Sequence, residues 1–346
     1  MAKTPAKLKD DEPSASVEHE QSHFLPLLPW QREAWNRLIG RMPNLPHGVL
    51  LTGAAGTGKR RFAEHVAGWL LCDTPTSDGA CGQCASCAWL KVGNHPSLLR
   101  ISREVDSKGK QSRQIKIDQI RDLMPFVQQT GQGWRVVVFE PAETLNTAAA
   151  NALLKTLEEP APRVMILLVA DQFLQLPATI RSRVQQIPLG RIAPEAAIEF
   201  VRDEAAVNAE QAKLLLALSG GAPLAAVNLA TTTQYQLRGQ WLATWLAILT
   251  GRRTVLDATT YWQKQLPLLS WLDLVRQALR DVVALHVGYG VIQTDLDQNH
   301  FNQIKSRLSL ESLLALDQRI VSLIAEQSQN VNSQLVMENL MLQLVG

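Results

Sequence analysis

The sequence predicts an α/β layered domain built on a parallel sheet, followed by a chain that is all helix to its end. Three observations carry this. Short apolar runs alternate with helical patterns up to Pro188. Several of those runs are apolar without interruption, as parallel strands covered on both faces must be. After Pro188 the period-2 and continuous apolar runs stop, and only 3.6-residue periodicity remains. Alternation of the first kind builds a layered α/β domain, and the second kind a helical one.

The elements follow in order. Residues 1–22 are rich in Lys, Asp, Glu, Ser and Pro and poor in large apolar side chains, and are expected to be a disordered leader. Order is expected from residues 24–35 onward. Strands are expected at Gly48–Thr52, Leu98–Ile101, 134–140, Val164–Ala170 and 184–188. Helices fit Lys59–Leu71, 118–129 and 147–157, the second with Pro125 inside it, a residue that works against helix continuity. Pro194 suits a first helical position, and Ile198, Val201 and Ala205 form the stripe of that helix. Further on, Trp241, Leu242, Trp245, Leu246 and Leu249 share one face, and Gly251 suits its stop. Trp271, Leu272, Val275, Leu279 and Val282 repeat the pattern, as do Leu313, Leu316, Ile320 and Leu323, before a last helix from about residue 333. Such stripes are read as bundle core. The expected division is an α/β domain at 23–189, a small helical domain at 190–231 and a second helical domain at 232–346.

Composition narrows the function. The chain has 346 residues, 46% hydrophobic and 19% charged, with a net charge of +2. That length allows two or three domains with their own cores. Near-neutral charge gives no global footprint for nucleic acid, so any such contact is local. No run of about 18 apolar residues appears, and no apolar signal core opens the chain, so no membrane span and a cytoplasmic location are expected.

Residues 53–60 read GAAGTGKR. Gly53, Gly58 and Lys59 fit the phosphate-loop pattern G-x-x-x-x-G-K-[ST], and the loop lies between an apolar strand and a helix, as that motif requires. The last position departs from it: Arg60 replaces the hydroxyl that holds Mg²⁺, and a guanidinium has no lone pair to offer a metal. Both a vestigial turn and a loop that still holds phosphate or nucleotide fit these residues. A hydrolysing site also needs an acidic pair at the end of a neighbouring strand. Here that position reads Val138-Phe139-Glu140-Pro141, so a proline ring stands where the water-activating acid belongs. Glu143, just beyond, is read as a helix-terminal charge.

Cys72, Cys81, Cys84 and Cys87 are all the cysteines of the chain, spaced C-x8-C-x2-C-x2-C. In a reducing compartment such clustering reads as metal binding. Four thiolates suit a closed structural Zn²⁺ site; an iron–sulfur cluster and four free core thiols are the alternatives. The segment 72–87 is expected to be an inserted knuckle that folds with its metal.

Two further stretches carry a family resemblance. Leu145-Asn146 with Ala148-Ala149-Ala150-Asn151-Ala152-Leu153-Leu154-Lys155-Thr156-Leu157-Glu158-Glu159-Pro160 resembles the signature helix of clamp-loader AAA+ proteins. Leu176-Pro177-Ala178-Thr179-Ile180-Arg181-Ser182-Arg183 resembles the Ser-Arg-Cys motif of the same family, with Val184 where Cys is usual. A cysteine knuckle after the phosphate loop is shared by the bacterial members. The resemblance covers roughly residues 24–346 and is strongest at 134–188. It implies an AAA+ α/β domain, a small helical lid, and a helical collar joining a pentameric ring that belongs to the DNA polymerase III holoenzyme.

The departures select among members. The gamma/tau motor subunits keep the loop hydroxyl, an Asp-Glu strand end and a sensor arginine; this chain has Arg60, Glu140-Pro141, and Leu224 in the arginine position. The resemblance therefore implies a stator with no ATPase of its own, serving a DNA-directed DNA polymerase (a nucleotidyltransferase). It would present Arg183 to ATP held by an adjacent motor subunit. The implied partners are the gamma/tau and delta subunits and, through the complex, the sliding clamp and primer–template DNA. An active ATPase motor is the rival reading. A zinc-dependent nucleic-acid-binding module fits the cysteines but not the charge.

Overall fold

The structure is a computed structural model and describes residues 23–106, 111–129, 133–326 and 332–345; the leader expected at 1–22 lies outside the described residues. The chain divides into two compact units, 1–193 and 194–346.

The first unit begins with helix α1 (Arg32–Ile39), strand β1 (Gly48–Thr52) and helix α2 (Lys59–Leu71). Helix α3 (Ala85–Lys91), strand β2 (Leu98–Ile101), helix α4 (Ile117–Gln128) and strand β3 (Arg135–Phe139) follow. Helix α5 (Thr147–Glu158), strand β4 (Val164–Ala170), the short helix α6 (Ala178–Arg181) and strand β5 (Gln185–Pro188) complete it. The strands form one sheet in the order β2-β3-β4-β1-β5, with every neighbouring pair parallel. Register sets Leu50 beside Leu168 and Gln186, and Val137 beside Leu99 and Ile166.

The continuous apolar runs are explained by burial on both faces. Val49, Leu51, Val136, Val138, Met165 and Leu167 pack against α1 and α2 through Trp35, Phe62 and Val66. The alternate residues Leu50, Val137, Phe139, Ile166 and Leu168 pack against α4 and α5 through Ile120, Leu123 and Leu153. The residues of β4, and those of β3 after Arg135, thus each have a core on their own side, and no polar position interrupts them.

Helix α4 runs through Pro125 without a break, as the helix expected at 118–129. Pro125 lies on the exposed face, and the buried Ile120, Leu123 and Val127 hold the helix to the sheet.

The second unit opens with α7 (Pro194–Glu204), α8 (Ala209–Leu218) and α9 (Pro223–Thr231), which pack on one another. Helices α10 (Thr233–Gln236), α11 (Arg238–Leu249), α12 (Val255–Gln265), α13 (Leu268–His286), α14 (Gln298–Lys305), α15 (Leu310–Glu326) and α16 (Ser333–Gln343) follow. The stripes read from the sequence on α11, α13 and α15 meet in a single core. Trp241, Trp262 and Trp271 lie at its centre, with Trp241 edge-on to each of the other two at 5.4 Å. A polar tie closes the loop after α13: buried Asp281 accepts the N–H groups of Ile292 and Gln293 at 2.7 and 3.1 Å. Among the described residues no single helix is long and apolar enough to cross a membrane.

In the first unit, α2 carries a buried histidine. The His65 ring lies edge-on to Trp35 at 4.7 Å, and its Nδ1 is 3.3 Å from the carbonyl of Leu25. Burial holds its pKa below the ordinary 6.5, against the weaker pull of the Leu25 carbonyl. A depressed histidine pKa means that the unfolded chain takes up the proton first. Its contribution to stability is therefore complete above pH 6.5 and is lost as pH falls through that value toward the folded pKa. Chemical denaturation of the first unit should give a midpoint that drops between about pH 7 and 5.5. His65→Gln should flatten that slope, and an unchanged slope would contradict the assignment.

Candidate functional site

The parallel sheet delivers three loops to one edge, the carboxyl ends of β1, β3 and β4. The phosphate-loop segment leaves β1 at Thr52 and enters α2 at Lys59. Gly53, Gly56 and Gly58 have φ of 152°, 81° and 87°, values that side chains with a Cβ rarely adopt. At Gly53 space is also short: a Cβ would sit 3.1 Å from the Gly190 nitrogen and 3.0 Å from Thr57 Oγ1. The loop is laced from outside, with Gln31 Nε2 donating to the Gly58 carbonyl at 2.8 Å and Trp30 Nε1 to the Thr57 carbonyl at 3.0 Å.

The two cations of the loop are already paired. Buried Lys59 donates to the Ala54 carbonyl at 2.7 Å and meets Asp171, just past β4, at 2.5 Å. Arg60 Nε donates to Glu140 Oε2, just past β3, at 2.6 Å. The residue that replaced the metal-binding hydroxyl and the residue that ends the acidic strand therefore bind each other. Two cations face two carboxylates, so the loop's positive charge is neutralised from within. An entering phosphate has to displace carboxylates, whereas the usual loop offers it free cations.

Glu143 does not cap a helix. Its Oε1 accepts the N–H groups of Asp171 and Gln172 at 3.0 and 3.1 Å, which ties the ends of β3 and β4 together. Both lone-pair directions of that oxygen are spent on structure.

Arg183 lies at the other edge of the sheet. It follows α6 and directly precedes β5, and in a parallel sheet the start of β5 lies opposite its carboxyl end. At about 3.3 Å per residue, the run from Arg183 to Gly190, which abuts Gly53, spans roughly 20 Å. One side chain cannot bridge that distance. Arg183 is instead held locally. Its Nε and Nη2 both reach Glu158 Oε1 at 2.6 Å, and its Nη1 donates to the Thr179 carbonyl at 3.0 Å and to Ser182 Oγ at 3.3 Å. Arg183 and Glu158 are 36% and 48% exposed, so the pair adds only about 0–1 kcal/mol and is readily broken.

The four cysteines converge. Their sulfur atoms all lie within 4.8 Å of one another, and the closer pairs are 3.7 Å (Cys72–Cys87), 3.8 Å (Cys72–Cys84) and 3.9 Å (Cys81–Cys87). These separations are far beyond a disulfide bond of about 2.05 Å. They suit a tetrahedral ion, since ligands at about 2.3 Å place the sulfurs about 3.8 Å apart. Amide N–H groups of Cys81, Cys84 and Cys87 point at the sulfurs of Cys72, Cys81 and Cys84 at 3.3–3.4 Å, the donor set that stabilises thiolate. Hydrogen bonds from Thr74 and from the Gln83 and Cys84 amides bring the Cys81 thiol down to about 5, while burial pushes Cys72 and Cys87 up. The group can hold a metal ion.

A buried relay fixes this knuckle to the sheet. The Ser97 amide donates to His95 Nδ1 at 3.1 Å, which leaves the proton on Nε2, and Nε2 meets Ser86 Oγ at 2.8 Å. Ser86 Oγ in turn donates to the Leu71 carbonyl at the end of α2. Asp171, Glu158, Ser86 and His95 were not identifiable as site residues from the sequence. Asp171 carried a faint signal, as the first charged residue after a continuous apolar strand.

Residues 30–193 match the protein-family model described as "DNA polymerase III, delta subunit". The chain is similar to "DNA polymerase III subunit delta'" of Pseudomonas aeruginosa, at 44% identity over 59% of this chain and 61% of that one. The protein of the same name in Haemophilus influenzae is 38% identical over 52% and 54% of the two chains. The protein of that name in Bacillus subtilis is 28% identical over 87% and 91%. The match thus spans less than two thirds of the length of the first two relatives. The stretch matched by that family model, residues 30–193, carries the sheet, the phosphate loop and the turn with Arg183.

Proposed function

We propose that this chain is the delta prime subunit of a bacterial DNA polymerase III clamp loader. It acts in the cytoplasm as a catalytically silent AAA+ stator. In this reading its partners are gamma/tau and delta subunits, and the complex they form loads the sliding clamp on primer–template DNA during replication. The chain contributes to the nucleotidyltransferase holoenzyme without turning over ATP itself. The α/β domain at 23–189 bears the finger, the lid at 190–231 lacks the sensor arginine, and the collar at 232–346 joins the ring.

One observation carries the reading: the loop's cations are consumed by Asp171 and Glu140, while Arg183 stands exposed at the opposite edge of the sheet. A chain that hydrolysed its own nucleotide would need the loop's cations free for phosphate. Arg183 is out of reach of its own loop, so phosphate held by an adjacent subunit is the target it fits. A guanidinium stays charged at any working pH and grips phosphate oxygens in a planar fork. The rival reading as a motor is supported by the retained Lys59 and loop backbone, and opposed by the Arg60–Glu140 pair.

We further infer that Cys72, Cys81, Cys84 and Cys87 hold one structural Zn²⁺ that closes the 72–87 knuckle. The set has four sulfur donors and no open position, so the ion would supply folding energy and no chemistry. Elemental analysis of protein purified without added metal should find one zinc per chain. Four titratable thiols in folded, zinc-free protein would contradict this.

The finger is tested in the reconstituted loader. Arg183→Ala should leave assembly intact, because the side chain is exposed and outside the core. A finger is worth about 10³–10⁵ in rate at its own site, so the DNA- and clamp-stimulated ATPase should fall, though only in part, since other sites of the ring keep their own. Arg183→Lys should fail similarly, because an ammonium lacks the fork. Full ATPase in both variants would overturn the finger.

A further inference from the structure

The pairing of Arg183 has a functional consequence of its own. Glu158 is the last residue of α5, the helix of the signature stretch, and it meets Arg183 on the turn before β5. The guanidinium has five N–H bonds. One from Nε and one from Nη2 converge on a single carboxylate oxygen, and Nη1 gives its two to the Thr179 carbonyl and to Ser182 Oγ. Only one N–H, on Nη2, is left over. A planar fork for phosphate needs two parallel donors on one edge, so the residue cannot present one without giving up a partner. The Nε/Nη2 edge is closed by Glu158, and the full negative charge beside it repels an incoming phosphate.

We propose that Glu158 is a resident counter-ion of Arg183, and that phosphate bound to an adjacent subunit has to displace it before the finger engages. The inference rests on the trans-finger reading above. Glu158 is a positioning residue, acting only through Arg183. It keeps the finger quenched in the free chain and sets how much phosphate charge is needed to draw it out. Because both partners are partly solvated, the barrier is small and the exchange reversible. The dianionic edge of a terminal phosphate competes for the guanidinium better than a single carboxylate, so ligands with fewer phosphates should release the finger less readily.

Two measurements separate this inference from the reading beneath it. In the isolated full chain, phenylglyoxal modification of Arg183 is followed by peptide mass, with Arg181 as internal reference. Glu158→Gln keeps the shape and removes the charge, and should raise the Arg183 rate about two- to fivefold, the range set by an exposed ion pair. In the reconstituted loader the same variant should lower the ATP concentration for half-maximal ATPase by a similar factor and leave the maximal rate unchanged. Placed on Arg183→Ala, it should do nothing further. If Glu158→Gln lowers the maximal rate as Arg183→Ala does, Glu158 orients the finger and the displacement step is wrong. If Arg183→Ala is defective and Glu158→Gln matches the parent in both measurements, the trans finger stands and the counter-ion falls. If modification rises while neither variant alters the ATPase, the finger reading fails and the displacement step fails with it.

Discussion

Everything in the first unit depends on the pairing of β1 between β4 and β5. Its five residues are all buried, and its neighbours are parallel to it on both sides. Parallel pairing gives the sheet two chemically different edges. At the carboxyl edge, Gly53, Glu140 and Asp171 emerge from three strands within reach of one another's partners. At the amino edge, Glu158 and Arg183 emerge ahead of β4 and β5 and meet each other instead. The same strand direction that assembles the loop forbids Arg183 from serving it. The separation of a chain's phosphate site from its arginine is thus a property of the topology, and the residues decide only which of the two is still live.

The phosphate loop has kept its backbone and changed its electrostatics. Three glycines with positive φ, the short approach to Gly190 and the outside bonds from Trp30 and Gln31 preserve the turn. A substitution that merely deleted the hydroxyl would have left the Glu140 carboxylate without its guanidinium partner. Arg60 does more than delete, because it reaches across and takes up the Glu140 carboxylate. The lysine is likewise occupied, buried against Asp171. The loop no longer needs a ligand to satisfy its charges, which suits a rigid scaffold.

Much of this was legible beforehand, and the exceptions have physical causes. The strands at Gly48–Thr52, Leu98–Ile101 and Val164–Ala170 were recognisable because each is bounded by a turn and covered on both faces. The helix at 118–129 was recognisable despite Pro125, because its buried Ile120, Leu123 and Val127 keep the helical spacing while Pro125 lies on the exposed face. Glu143 was misread: its carboxylate caps strand ends some 28 residues away rather than its own short helix. Asp171 belongs to no spacing motif and Glu158 stood in the signature stretch without a role of its own; each matters through one cross-element ion pair. The cysteines were the reverse case. Their spacing alone marked them as candidate ligands, and the fold brings their sulfurs to separations at which they could hold a metal ion.

The central claim is that this chain keeps the shape of a nucleotide-hydrolysing site whose charges are spent on one another. Phosphate release from Mg²⁺-ATP by the isolated chain tests it most directly, measured beside Lys59→Ala. The account predicts no release above the protein-free blank and no difference between the two proteins. Sustained turnover by the parent that vanishes in Lys59→Ala would contradict it and make the chain a motor.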